Sequence, residues 1–138
     1  MKPAYLLGSL LCLAGCSGHQ PPAPTSGANP VQHEMQLLTA ALQSAVNGIG
    51  AGDVRGIAHE LHGVHAAKER TETALSSGNY RLRKNHERLD RFRALDEEFH
   101  RRLEGLVHAI QANDVGAAAT AFAGVIQSCA PCHSVFRP

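Results

Sequence analysis

The sequence has no tryptophan, and four Phe and two Tyr are its whole aromatic content. A core built by this chain must therefore draw on Leu, Ala, Val and Ile, or on apolar volume that the chain does not encode. An excess of one charge is missing too. Thirteen Lys and Arg face twelve Asp and Glu, so the basic surface that a nucleic-acid partner demands is absent. The apolar run Ala4 to Leu13 is too short to span a bilayer. No alternating pattern of strand type competes with the helical periods described below. Cysteine is scarce: there are four, Cys12 and Cys16 near the N-terminus and Cys129 and Cys132 near the C-terminus. A structural zinc site wants a second pair, and a thioredoxin-like dithiol wants a βαβ pattern around it. Neither is found.

What is present is Cys129-Ala-Pro-Cys132-His133, a C-x-x-C-H motif. This is the attachment signature of c-type haem. Two thiols at that spacing can each add to one vinyl group of a single porphyrin, and the adjacent imidazole can bind the iron. A buried porphyrin would also supply apolar volume that the aromatic-poor sequence lacks.

The opposite end addresses the protein. Lys2 is a short basic region, and Ala4 to Leu13 an apolar one. Leu13-Ala14-Gly15-Cys16 resembles the lipobox of bacterial lipoproteins, which implies cleavage before Cys16 and acylation there. Several acyl chains would anchor the protein firmly, whereas one binds marginally. Ser17 stands where an Asp would resemble an inner-membrane retention signal, which favours the outer membrane. Cysteine use then closes: Cys12 leaves with the leader, Cys16 takes lipid, Cys129 and Cys132 take haem, and none is left for a disulfide. Periplasmic exposure agrees with c-type haem, which bacteria attach outside the cytoplasm.

Three segments follow: a signal peptide over 1–15, a lipidated Cys16 with a Pro-, Gly- and Ser-rich tether over 16–30, and one domain over 31–138. The domain reads as four helices. Their apolar stripes are Val31, Met35, Leu38, Leu42, Val46, Ile49; then Val54, Ile57, Leu61, Val64; then Leu89, Phe92, Phe99, Leu103, Leu106, Ile110; then Val115, Ala118, Phe122, Val125 or Ile126, Cys129, Cys132 or His133, Phe136. Asp53, Asn85 and Asp114 are expected N-caps. Short breaks at 50–53 and 113–114, with a longer connector over 76–84, predict an all-α, antiparallel up-down-up-down four-helix bundle. Glu97–Arg101 and Glu98–Arg102 are expected ion pairs on the third helix. Gly56, Gly63, Gly105 and Gly124 fall inside the expected helices, where they serve close packing or clear space for a porphyrin. Pro131 is expected to kink or tighten the last turn.

A four-helix bundle with C-x-x-C-H on its last helix resembles the cytochrome c′ family, the class II cytochromes c. Cys129, Cys132, His133, Phe136 and Arg137 match that family's layout, and the resemblance extends over about residues 31–138. It implies one covalent haem c, with His133 as proximal iron ligand and a first-helix residue on the distal side. Met35 lies there, on the inward stripe, and is the only Met after Met1. With Met35 on the iron the protein is a six-coordinate electron carrier and not an enzyme. With an apolar residue there it is a five-coordinate cytochrome that binds nitric oxide or carbon monoxide. A histidine is the rival ligand; His59, His62 and His65 recur on the second helix, and His33, His100 and His108 lie elsewhere. The basic stretch Arg81, Arg83, Lys84, Arg88, Arg91, Arg93 reads as solvated surface, or as a contact for haem propionates or an acidic redox partner. The expected partners are periplasmic or membrane redox proteins, and a homodimer is left open.

Overall fold

The computed structural model describes residues 29–138. The signal peptide, Cys16 and most of the tether lie outside the described residues. The remainder forms four α-helices: α1 (Pro30–Ala51), α2 (Ala58–Ser76), α3 (Leu89–Gln111) and α4 (Val115–Phe136). Among the described residues there is no strand. The chain is the expected up-down-up-down bundle. It is built as two hairpins, α1 with α2 and α3 with α4, which pack more intimately within themselves than against each other.

α1 starts slightly earlier than the tether boundary suggested. The Asn29 side chain accepts the Gln32 N–H at 3.2 Å, and Pro30 occupies the first turn, where its missing N–H costs nothing. The helix stops at Gly52, whose φ of +72° glycine adopts freely. Asp53 is not the cap of α2. Its carboxylate accepts the Arg55 backbone N–H at 3.1 Å and pairs with the Arg55 guanidinium at 2.7–2.8 Å. Gly56 then turns left-handed at φ +84°, so α2 begins only at Ala58, and Gly56 is a turn residue, not a helical one. Asp114 behaves as expected: its side chain accepts the Ala117 N–H at 2.9 Å and starts α4.

Asn85 does not cap α3 either. It sits at φ +50° ahead of a single 3₁₀ turn, His86–Arg88, and α3 follows without a side-chain cap. On α3, Glu98 pairs with Arg102 at 2.7 Å as expected, but Arg101 turns to Glu98 at 2.6 Å rather than to Glu97. One carboxylate collects both guanidiniums. α4 continues through Pro131 to Phe136.

Two apolar clusters fill the bundle. The larger joins all four helices around Leu61, Val64, Leu103, Leu106 and Val125, each fully buried. The smaller gathers Leu75, Leu82, Phe92 and Phe136, with Phe92 and Phe136 edge to face at 5.4 Å. The space beside this smaller cluster holds the site.

Candidate functional site

A cavity of about 650 Å³ opens between α1, α3, α4 and the connector that precedes α3. Met35, Leu38 and Leu42 line it from α1, and Phe92, Leu95 and Phe99 from α3. Cys129, Cys132 and His133 line it from α4. The spacing explains the convergence. Met35, Leu38 and Leu42 are three and four residues apart on one face of α1, and Cys129, Cys132 and Phe136 repeat that interval on α4. The four cofactor-contacting residues expected from sequence within the described chain, Met35, Cys129, Cys132 and His133, thus share one cavity.

The wall that carries the motif is held in place from the connector. The Asn85 side-chain amide donates to the Val135 carbonyl at 2.6 Å, and the Lys84 ammonium donates to the Arg137 carbonyl at 3.1 Å. Phe136 is buried against Phe92. The two hydrogen bonds reach 50 and 53 residues back along the chain, and with Phe136 they fix the last turn of α4. Asn85 adopts its left-handed backbone in order to aim that amide; Asn is among the few side-chain-bearing residues that tolerate it.

Both thiols are free and half-buried. Burial pushes the Cys129 thiol up. Burial, then Asp96, Cys129 and Glu34, push Cys132 up to about 11. A dithiol of that kind is a poor redox nucleophile and a poor thiolate ligand for zinc.

The rival histidines stay away from the cavity. His59, His62 and His108 are exposed, and His33 is half-buried; none lines the cavity. His65 turns inward, with its Nδ1 3.3 Å from the Leu61 carbonyl, but meets the His100 ring at 5.4 Å rather than the cavity. Arg83 does line the cavity, while Arg93 is engaged with Glu72 at 2.9 Å. The glycines of the expected helices do not line it. Gly63 and Gly105 face open space, so neither close packing nor porphyrin clearance accounts for them.

Sequence reasoning missed a buried polar cluster beside the site. His100 Nε2 lies 2.9 Å from Glu34 Oε1 and 3.7 Å from Asp96 Oδ1. Glu34 and His100 are almost wholly buried, at 1% and 4% exposure. His100 Nδ1 has no partner. A proton on Nε2, donated to Glu34, avoids burying an unpaired N–H. Asp96 and Glu34 also line the cavity. Burial, and after it the Glu34 charge, raises the Asp96 carboxyl to about 6.

A family model described as cytochrome C′ matches residues 32–137. The chain belongs to the cytochrome c′ family. No curated protein and no solved structure matches it. Membership makes it a c-type cytochrome with haem c as cofactor, and the four-helix bundle is the family's fold. The site of this cytochrome fits that group on its own geometry. The cavity volume falls within the roughly 300–1,000 Å³ of small-molecule and cofactor sites. Leu, Phe and Met side chains supply much of its apolar wall, and two thiols and an imidazole lie within five residues on α4.

Proposed function

We propose that this cytochrome carries single electrons between membrane or periplasmic redox proteins, without turning over a substrate. The observation that carries the reading is Met35. It faces the same cavity as His133 from the opposite helix, and no other Met follows Met1. In this reading one haem is held covalently by Cys129 and Cys132, His133 binds the iron proximally, and Met35 binds it distally. The bound haem supplies a one-electron iron couple. The rest falls to the chain. Met35 and His133, one on each wall, would hold the iron from two helices in either valence state, so little would rearrange. Leu38, Leu42, Phe92 and Phe99 exclude water. A thioether ligand favours the reduced iron and sets the potential above that of a bis-histidine site. Arg83 and Arg137, at the connector end, suit the propionates. Acylation of Cys16 holds the domain at a membrane facing the periplasm.

The test is the visible spectrum of each oxidation state, with and without carbon monoxide. The wild type is expected to be low-spin and to resist the gas, and Met35→Ala to bind it readily. A wild type that is already high-spin and binds carbon monoxide freely sinks the carrier reading. It would leave the five-coordinate, gas-binding cytochrome.

A further inference from the structure

Charge balances over the whole chain but not over its surface. The connector and the start of α3, residues 80–93, hold six Lys and Arg against Glu87 and Asp90, and Arg137 adds a seventh cation at the same end. In the rest of the described residues five Lys and Arg face ten Asp and Glu. One end of the bundle is therefore net positive and the remainder net negative.

Pairing sharpens the contrast. Arg55, Arg93, Arg101 and Arg102 each meet a carboxylate at 2.6–2.9 Å. Among the described residues, Arg81, Arg83, Lys84, Arg88, Arg91 and Arg137 meet none, and all six are exposed. Elsewhere only Lys68 and Arg70 are left so. Local structure does not ask for these cations. A helix favours positive side chains in its last turn, not its first. Arg88 immediately precedes α3, and Arg91 lies in its first turn, with no side-chain cap between them and the helix end. Neither the helix dipole nor ion pairing accounts for them. What they share is the cavity mouth. Arg83 and Arg137 line it, and Arg81 is next to Leu82, which also lines it. Phe92 and Leu95 line it from α3, and Arg88 and Arg91 stand four residues before them.

We propose that this face is the docking site of an acidic redox protein, whose carboxylates meet Arg81, Arg88 and Arg91 around the cavity mouth. The inference rests on the electron-carrier reading and gives that carrier's partner its charge. Arg83 and Arg137 serve the propionates, and the remaining cations are free for the partner. Exposed, unpaired cations speed encounter with a negative surface and turn it toward the opening through which electrons leave. The net negative remainder of the bundle repels the same partner from every wrong side. A protein fits this face better than a lipid surface does. Glu87 and Asp90 interrupt the cations, which a matching pattern of charges accommodates and a uniform anionic sheet does not. Val46 and Ile126, the exposed large hydrophobics among the described residues, lie on α1 and α4 and do not line the mouth, so no large apolar side chain here enters acyl chains.

The experiment uses the full-length holoprotein in mild detergent. Stopped flow follows oxidation of the reduced form by hexacyanoferrate(III), an anion, and by tris(phenanthroline)cobalt(III), a cation. Raising salt from about 0.01 to about 0.5 M is expected to slow the anion reaction about tenfold and not to slow the cation reaction. At low salt the triple variant Arg81→Glu, Arg88→Glu, Arg91→Glu is expected to slow the anion about tenfold and to speed the cation. A shifted potential would move both probes the same way; a reversed field moves them oppositely. All three positions are exposed and unpaired, so the fold survives. Arg70→Glu, the same charge change on α2, is expected to act far more weakly than Arg91→Glu alone. Reduction of the oxidised form by flavodoxin, an acidic flavoprotein, is expected to saturate at low salt in the wild type and not in the triple variant. Rates blind to probe charge, equal effects of Arg70→Glu and Arg91→Glu, or unchanged saturation in the triple variant each overturn the proposal. So does slowing of both inorganic probes on phosphatidylglycerol vesicles relative to phosphatidylcholine ones, in the wild type but not the triple variant, which gives the face to the membrane. Slow transfer to both probes at every salt concentration overturns the carrier reading as well, whereas fast transfer blind to charge overturns this inference alone.

Discussion

Glu34 stands four residues before Leu38, and His100 beside Phe99 and three before Leu103, at places where the stripes of α1 and α3 ask for aliphatic side chains. That conflict was visible in the sequence; the pairing was not, because 66 residues separate the two. The haem motif was legible for the opposite reason: its chemistry lies within five consecutive residues. The cluster has a measurable cost at Asp96, whose carboxyl is held at about 6 against an ordinary 3.8, by burial first and by Glu34 second. The folded chain keeps this proton more tightly than the unfolded chain. Below about pH 4 both states hold it and no penalty exists. From about pH 4 to about 6 the unfolded chain releases it first and stability falls, and above that the penalty is constant, on the order of 3 kcal/mol at about 1.4 kcal/mol per tenfold. Asp96→Asn is therefore expected to be more stable than wild type at pH 7 by on the order of 2–3 kcal/mol, and nearly equal to it at pH 4. Urea unfolding at both pH values measures this, and an equal difference at the two would refute it.

The two short connections look alike in sequence, Gly52-Asp53-Val54 and Asn113-Asp114-Val115, and fold differently. Asp114 is followed by a run of small helix formers and caps α4. Asp53 has Arg55 two residues on, which captures its carboxylate, and Gly56 after that, which turns left-handed. Helix periods carried the existence and order of α1 to α4. They could not show which of two local hydrogen bonds an Asp would choose, nor that Asn85 would reach across to α4. The tight α1–α2 turn makes a prediction about glycines. A methyl group on Gly48 would collide with the Ile57 side chain and lie 2.7 Å from the Asp53 carbonyl, while one on Gly63 would meet nothing. Gly48→Ala is expected to destabilise by about 1–3 kcal/mol, and Gly63→Ala to stabilise by up to about 1 kcal/mol. Thermal unfolding of the pair decides; shifts of the same sign would show that the turn yields.

At the scale of the molecule, the sequence foretold four helices and haem c as cofactor but not how the interior is divided. The larger cluster is closed around Leu61, Leu103 and Leu106, and reaches the cavity only at its edge, through Leu38 and Phe99. The smaller one puts three of its four buried members, Leu82, Phe92 and Phe136, on the wall of the 650 Å³ cavity and so depends more on what fills it. Void space forfeits packing energy. Replacing both Cys129 and Cys132 by Ser is expected to abolish haem staining after denaturing electrophoresis and to loosen one end of the bundle. Hydrogen exchange should quicken around Leu75, Leu82, Phe92 and Phe136 while the segments holding Leu61, Leu103 and Leu106 stay protected. Uniform protection, or uniform loss, would mean that the two clusters are one cooperative unit.

The attachment spacing has a kinetic consequence. Cys129 and Cys132 are three residues apart on one helix, so the thioethers proposed there close a ring within a single turn of chain. A cross-link so short removes little entropy from the unfolded state, unlike a bridge between distant segments. It would tie the porphyrin covalently to α4 alone, with Met35 of α1 reaching it by coordination and α3 by packing. With the thioethers in place, only the Met35 coordination bond would break when the bundle opens, and the porphyrin would leave with α4 without being lost to solution. Reassembly is then first-order in the chain alone. Recovery after denaturation should proceed at one rate whether the sample is concentrated, diluted or supplied with free haem.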